Sequence, residues 1–315
     1  MKFFEVIYFK SLLLGSLNFI LIGLIPLKVD SQKKSSAIYL HILGTLQDGG
    51  SPHIGCKKKC CYNLTNKEKE NRKVTSFEIF QPGESKNILF EATPDIISQW
   101  ELMSSPPEAI FITHAHMGHY SGLLHLGREA LGSKNMSVYV MPKMASFLKN
   151  NAPWSQLVDL RNIVLKKLEN EHPVEVLKSL KVIPILVPHR DEFSETVGYK
   201  IIGPNKTVLF IPDIDKWSIW EKDLISILNE VDFALIDATF FNAKELNYRP
   251  LSEIPHPLVQ ETIKYLKNQK RSFKNKIYFI HMNHTNPMLN KNSKESEWVL
   301  QQGFFIAQIG QQFKL

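Results

Sequence analysis

Short apolar runs, each closed by a polar or charged side chain, recur along the chain from residue 37 onward. Ala37 to Leu46, Val74 to Phe80, Asn87 to Glu91, Ala109 to Ile112, Ser137 to Met141, Leu180 to Val187, Glu195 to Ile202, Thr207 to Ile211, Val231 to Asp237 and Ile277 to Ile280 are rich in β-branched and aromatic residues. Their length and flanking turn formers predict strands. Gln81-Pro82-Gly83-Glu84 and Gly203-Pro204-Asn205-Lys206 read as turns joining neighbouring strands. Helical patterns fall between: Asp95 to Met103 behind Pro94, Leu123 to Leu131, Lys143 to Asn150 behind Pro142, and Leu258 to Asn268. Leu157 to Leu168 has strand and edge character, Asn63 to Lys73 reads as an exposed polar linker, and residues 242–257 read as a long loop. The alternation of strand and helix predicts an α/β or α+β fold. No repeat appears at solenoid periods.

Several of these apolar runs end in side chains that bind metals. Ala109 to Ile112 leads into His114, His116 and His119; Leu180 to Val187 into His189; Thr207 to Ile211 into Asp213; and Ile277 to Ile280 into His281. Strand ends collect on one edge of a sheet, so residues distant in sequence can meet there. Two histidines at i and i+2 on extended or loop backbone can converge on one ion, and neutral imidazole is the commonest protein ligand for zinc. His114, His116 and His189 are therefore expected to hold a first metal with a position left for water, which such a site acidifies toward neutrality. Three surface or capping histidines are the bland alternative.

The stretch His114-Ala115-His116-Met117-Gly118-His119 resembles the HxHxDH signature of the metallo-β-lactamase superfamily, with Gly118 where the family has aspartate. The resemblance covers most of the chain after about residue 40. Within the superfamily it is nearest the pyrroloquinoline quinone biosynthesis protein B branch, through Leu43-Gly44-Thr45-Leu46-Gln47-Asp48-Gly49-Gly50, the nearby cysteines and His281-Met282-Asn283-His284-Thr285-Asn286-Pro287. It implies an αββα sandwich and a second metal at His119 and His281, bridged by Asp213. It also implies an acidic support at the end of the strand Asn87 to Glu91, with Glu91 the positional match and Asp95 the alternative. Gly118 supplies neither charge nor ligand. The implied outcomes are a weak second site, a single metal, or a substitute ligand, for which Asp191, Asp215 and His284 are nearest in sequence. Asp215 can instead cap a following helix or face solvent. Asp213 and His284 are the candidates for catalytic contact. His256, between prolines, is read equally as substrate-facing or as a loop residue. Arg190, Asp191 and Glu192 are read as fixing the His189 loop or binding substrate.

The three cysteines all lie in Cys56-Lys57-Lys58-Lys59-Cys60-Cys61. With His53 they can form a closed Cys₃His zinc site. The alternative is a disulfide from Cys56 to Cys60 or Cys61 with one thiol left over. A small cysteine-based zinc site in the resembling family favours metal.

Lys2 and Lys10 precede the apolar run Ser11 to Leu27, and Val29 and Ser31 suit cleavage after Ser31. Residues 1–31 are thus expected to be a signal peptide or an uncleaved membrane anchor. Residues 32–315 are then expected to form the metallo-β-lactamase-like domain that the resemblance implies, exported to the periplasm or outside the cell. The chain has 315 residues and a net charge of +7, spread over scattered lysines. That balance suits a solvated basic surface and mildly favours an anionic substrate. No nucleic-acid motif is present, and membrane contact is expected only through the N-terminal segment if it stays uncleaved.

The leading expectation is a metal-dependent hydrolase with one or two zinc ions at the histidines, acting on an ester, amide, lactone or phosphoester of a small molecule or peptide. The resemblance also implies an alternative, an iron-dependent oxygenase or cofactor-biosynthesis protein, which export argues against. A carrier that holds metal without chemistry is the third reading.

Overall fold

In the computed structural model, residues 37–246 and 250–315 are described. The expected signal or anchor segment, 1–31, lies outside them. No helix among the described residues is long and apolar enough to cross a membrane.

Among the described residues, fourteen strands form two sheets. In chain order they are β1 (Tyr39–Gly44), β2 (Ser76–Phe80), β3 (Asn87–Phe90), β4 (Pro107–Phe111), β5 (Met136–Val140), β6 (Ile163–Lys167), β7 (Val174–Leu177), β8 (Leu180–Leu186), β9 (Val197–Ile202), β10 (Thr207–Ile211), β11 (Phe233–Asp237), β12 (Ile277–Ile280), β13 (Phe305–Ile306) and β14 (Gln312–Lys314). The first sheet runs β14-β1-β2-β3-β4-β5-β6 and the second β7-β8-β9-β10-β11-β12-β13. Read in those directions, both carry three antiparallel pairings followed by three parallel ones.

The two-residue period of a strand sorts its side chains between layers. Ile88 and Phe90 of β3, Ala109 and Phe111 of β4, and Val208 and Phe210 of β10 enter the core between the sheets. Leu89 and Ile110 point the other way, onto a helical layer containing Ile96, Met144, Leu148 and Leu157. Leu209 and Ile211 face a second helical layer through Leu224, Leu228, Val259, Ile263 and Val299. The result is helix, sheet, sheet, helix, the αββα sandwich.

An aromatic ladder crosses the first sheet at matched register. Phe77 stacks on Phe90 at 4.4 Å, Phe90 on Phe111 at 5.0 Å, and Phe111 on Tyr139 at 4.5 Å. Tyr199 of the second sheet meets Phe90 and Phe111 edge-on, and its hydroxyl donates to the Ile112 carbonyl at 2.6 Å. Each buried aromatic contributes about 1.5–3 kcal/mol from area alone, and this ladder leads straight into the loop that carries His114.

Strands β7, β13 and β14 have no counterpart among the expected elements, and three expected elements take another form. The helix expected over Leu123 to Leu131 is a 3₁₀ segment, Ser121–Leu126. Gly122 there lies so close to the Ala92–Thr93 backbone that a Cβ would sit 2.2 Å from the Thr93 carbonyl oxygen. Leu157 to Leu168 begins inside the helix Trp154–Asp159, turns at Arg161 with φ 54°, and only then enters β6. Within the expected linker Asn63 to Lys73 lies the helix Asn66–Glu70, closed by a reciprocal cap between Thr65 and Glu68.

The parallel strands place the site. β3 and β4 end together (Phe90 opposite Phe111), as do β10, β11 and β12 (Ile211 opposite Ile236, Asp237 opposite Ile280). Side chains just beyond those carboxyl ends share one rim. The loop after β1 is stitched to the same rim: Met282 N donates to Thr45 O and Gln47 N donates to Met282 O, both at 2.9 Å.

Candidate metal centre

His114, His116 and His189 come together, with one nitrogen from each lying within 4.8 Å of the others. His114 Nε2 and His116 Nδ1 are 2.8 Å apart. The Thr113 hydroxyl contacts His114 Nδ1 at 2.9 Å, and Glu192 Oε2 accepts from His116 Nε2 at 3.1 Å, so the second nitrogen of each ring is engaged. Glu192 thus orients His116, not His189. Asp191 instead accepts from the Thr196 hydroxyl at 2.8 Å, and Arg190 lies 3.8 Å from Glu192.

A second group forms beside the first. Asp213 Oδ2 lies 3.1 Å from His119 Nε2 and 3.2 Å from His281 Nε2, while its Oδ1 is 3.8 Å from His189 Nε2. One carboxylate therefore faces both groups, one oxygen to each. Asp48 Oδ1 completes the second group, 3.0 Å from His119 Nε2 and 3.5 Å from His281 Nε2. Behind it, Glu91 is fully buried and lies 3.4 Å from His119 Nδ1, whereas Asp95 turns away to accept from Val74 N at 2.7 Å. Glu91 and His281 both adopt left-handed backbone, with φ 70° and 64°. Non-glycine residues seldom take that conformation unless their surroundings impose it.

Thr239 ties the two histidines of the rim to an acid. Its hydroxyl donates to Asp237 Oδ1 at 2.8 Å and contacts His281 Nδ1 at 3.0 Å. Asp237 Oδ2 accepts from His256 Nδ1 at 2.8 Å. This fixes the buried His256 beside His189 and Asp213.

These donors fit a cation better than they fit one another. His119 Nε2, His281 Nε2, Asp213 Oδ2, Asp48 Oδ1 and both nitrogens of His189 are buried without a hydrogen-bond partner, an arrangement folded proteins avoid. Donors tetrahedrally arranged about zinc at 2.0–2.1 Å stand about 3.3 Å apart, the spacing seen in the second group. Protonation states agree. Burial pushes His114 well down and His189 to about 3, leaving neutral imidazoles. Burial would raise Asp48 and Asp213, but facing histidines hold both well below the usual carboxylate range. Burial also opposes a charge on His119, yet Glu91 and Asp48 raise it well above its ordinary value. A cation entering there would displace that proton.

A separate cluster gathers Cys56, Cys60, Cys61 and His284, ligand atoms within 4.8 Å of one another. All three thiols are free. Cys60 Sγ and Cys61 Sγ are 4.0 Å apart, against about 3.8 Å for sulfurs on one tetrahedral zinc. Burial and the neighbouring thiols push Cys60 up to about 12. The structure thus corrects two expectations. The imidazole grouped with the thiols is His284, not His53, whose Nδ1 is engaged by the Ile54 carbonyl at 2.9 Å while its ring stacks on His284. His284 accordingly stands with the cysteines and not with the histidine rim. Asp191 and Asp215 likewise stay out of the centre; the Asp215 backbone N donates to Pro188 O at 2.7 Å, and the next 3₁₀ turn is entered at Lys216 without a side-chain cap.

Residues 86–282 match the family model described as "Beta-lactamase superfamily domain". The chain belongs to this superfamily. It is similar to coenzyme PQQ synthesis protein B of Nitrosococcus oceani, at 23% identity over 85% of this chain and 97% of that one. Its fold matches the crystal structure of Zn(2+)-bound PqqB from Methylobacterium extorquens with a TM-score of 0.74, at 21% identity over 88% of this chain and all of the other. A diphosphatase from the PhnP family superposes with a TM-score of 0.64, at 21% identity over 89% of this chain and 97% of that one. Within this superfamily fold, sequence reasoning overlooked Asp48, Asp237 and Thr239. Asp237 closes β11 and Thr239 follows two residues later, the signal that had singled out Asp213, whereas Asp48 lies in the loop after β1 and carries no such mark.

Proposed function

We propose that the chain is a metal-dependent hydrolase of phosphoesters. The observation carrying this reading is Asp213, whose two oxygens face two adjacent groups of unpartnered donors. His114, His116 and His189 would hold one ion, and His119 and His281 a second, with Asp213 between them. Bound there, the pair would supply Lewis acidity and a water acidified for attack. The remaining work falls to this chain's own residues. Glu192 and Thr113 keep the imidazoles turned toward the ion. Asp237 takes the His256 Nδ1 proton contact, which leaves Nε2 for a bound substrate. Arg190, about half exposed beside His189, adds positive charge where an anionic group would arrive. The net charge of +7 and the superposed PhnP-family diphosphatase support a phosphoester over a neutral ester or amide.

The test is hydrolysis of aryl phosphodiesters, phosphomonoesters, carboxylic esters and lactones by protein loaded with zinc or manganese. The account expects phosphoester turnover that a chelator abolishes and metal restores. Turnover of carboxylic esters or lactones alone would move the substrate class. A second reading, a role in cofactor synthesis with iron at the same residues, is favoured by the full-length likeness to coenzyme PQQ synthesis protein B. Iron retained at the histidine centre, with oxygen consumed on a peptide substrate, would decide for it. A carrier without chemistry drew its weight from Gly118; metal held at the histidine centre with no turnover of any substrate in the panel would decide for it. We further propose, from the apolar run behind Lys2 and Lys10, that the domain works outside the cytoplasm; detection of residues 1–31 on cytoplasmic protein would refute this.

A further inference from the structure

We propose that Asp48 is the carboxylate ligand of the second ion and stands in the space that Gly118 leaves open. A Cβ built on Gly118 would lie 2.2 Å from Asp48 Oδ1, 2.6 Å from Asp48 Cα and 2.7 Å from Asp48 Cγ. The two positions therefore compete for one volume: with a side chain at 118, Asp48 could not lie where it does. With glycine there, the loop after β1 closes over the helix start at Met117–Tyr120 and delivers its own carboxylate.

The approach is built rather than incidental. Gly50 N donates to Gln47 O at 2.9 Å, and Gly50 takes φ 66°, so the chain turns sharply just after Asp48. Gln47 N is held by Met282 O, which fixes this turn to the residue next to His281. The carboxylate then points inward. Its Oδ1 is buried with no hydrogen-bond partner, 3.0 Å from His119 Nε2 and 3.5 Å from His281 Nε2. A buried carboxylate needs a counter-charge, and a cation set among these three side chains would supply it. The ligand type the signature lacks at position 118 thus returns from 70 positions earlier in the chain, with charge and donor count unchanged. The inference rests on the reading of the histidine rim as a two-metal centre.

Its test is zinc titration of the full chain, stripped of metal and then read with a competing chromophoric chelator. Wild type, Asp48→Asn and the exchange variant Asp48→Gly/Gly118→Asp are compared. Asp48→Asn keeps the volume and removes the charge. It should weaken the second histidine-centre ion by at least about 10–100-fold and leave the ion at His114, His116 and His189 in place. The exchange variant should recover most of that loss. Wild-type affinity for both ions in Asp48→Asn would overturn the inference, as would an exchange variant that melts like wild type yet binds as weakly as Asp48→Asn. If the exchange variant does not fold, Asp48→Asn decides alone. Failure of the wild type to take up an ion at His114, His116 and His189 would instead sink the hydrolase reading.

Discussion

Replacing Thr239 with valine should damage the second metal position without touching the first. Valine keeps the branched shape and removes only the hydroxyl. That hydroxyl donates to Asp237 Oδ1 at 2.8 Å and meets His281 Nδ1 at 3.0 Å. Asp237 Oδ1 keeps a bond from the Thr239 backbone N at 2.8 Å, so the acid is only partly stranded. His281 is fully buried, and its ring proton would be left with nothing to meet. An unsatisfied buried donor costs about 1–3 kcal/mol, which sets the expected loss of metal-free stability in urea unfolding. The tautomer of His281 is then no longer fixed, and losing such a partner lowers metal affinity about 10–100-fold. Competition titration with zinc reads this directly. One ion should bind as in wild type and the other more weakly. Unchanged binding of both ions with an unchanged unfolding midpoint would refute the argument that Thr239 orients His281.

Other predictions concern the remaining parts of the rim. His116→Ala should remove the first ion and, with it, essentially all hydrolysis; metal analysis showing unchanged occupancy would reject that group. Cys60→Ser and His284→Ala should each lower zinc by one ion per chain and reduce thermal stability, whereas His53→Ala should not lower zinc; the opposite pattern would return His53 to the thiol cluster. Tyr199→Phe removes the hydroxyl that donates to the buried Ile112 carbonyl and should cost about 1–3 kcal/mol; a midpoint within error of wild type would show that this clamp beside His114 is dispensable.

The sequence announced the strands far better than the contacts between them. Apolar runs such as Thr207–Ile211 and Ile277–Ile280 matched β10 and β12 residue for residue, because short buried strands of this kind carry their signal locally. The strand-end rule also located His114, His116, His189, Asp213 and His281, which the fold brings to one rim. It missed Asp48 because nothing in Gln47-Asp48-Gly49-Gly50 shows that the loop lies against Gly118; only the pairing of Met282 with Thr45 and Gln47 makes that contact. His53 looked like the thiols' partner by proximity along the chain. His284 has that place because the rim brings the stretch after β12 back over the cysteine loop. Where local patterns misled, neighbours decided. Asn63 to Lys73 holds no apolar run to mark a helix, and the one inside it rests on the cap between Thr65 and Glu68; beside the expected helix from Leu123, Gly122 lies tight against the Ala92–Thr93 backbone and the segment is 3₁₀.

The most direct test is metal content per chain, measured by elemental analysis on protein purified without added metal, for wild type, His116→Ala and Cys60→Ser. Two zinc ions assigned to the histidine rim and one to the cysteine cluster, with His116→Ala losing from the first and Cys60→Ser from the second, is the predicted result. Wild-type protein that holds no metal under conditions that do not strip it, or that loses none in either variant, would contradict the account.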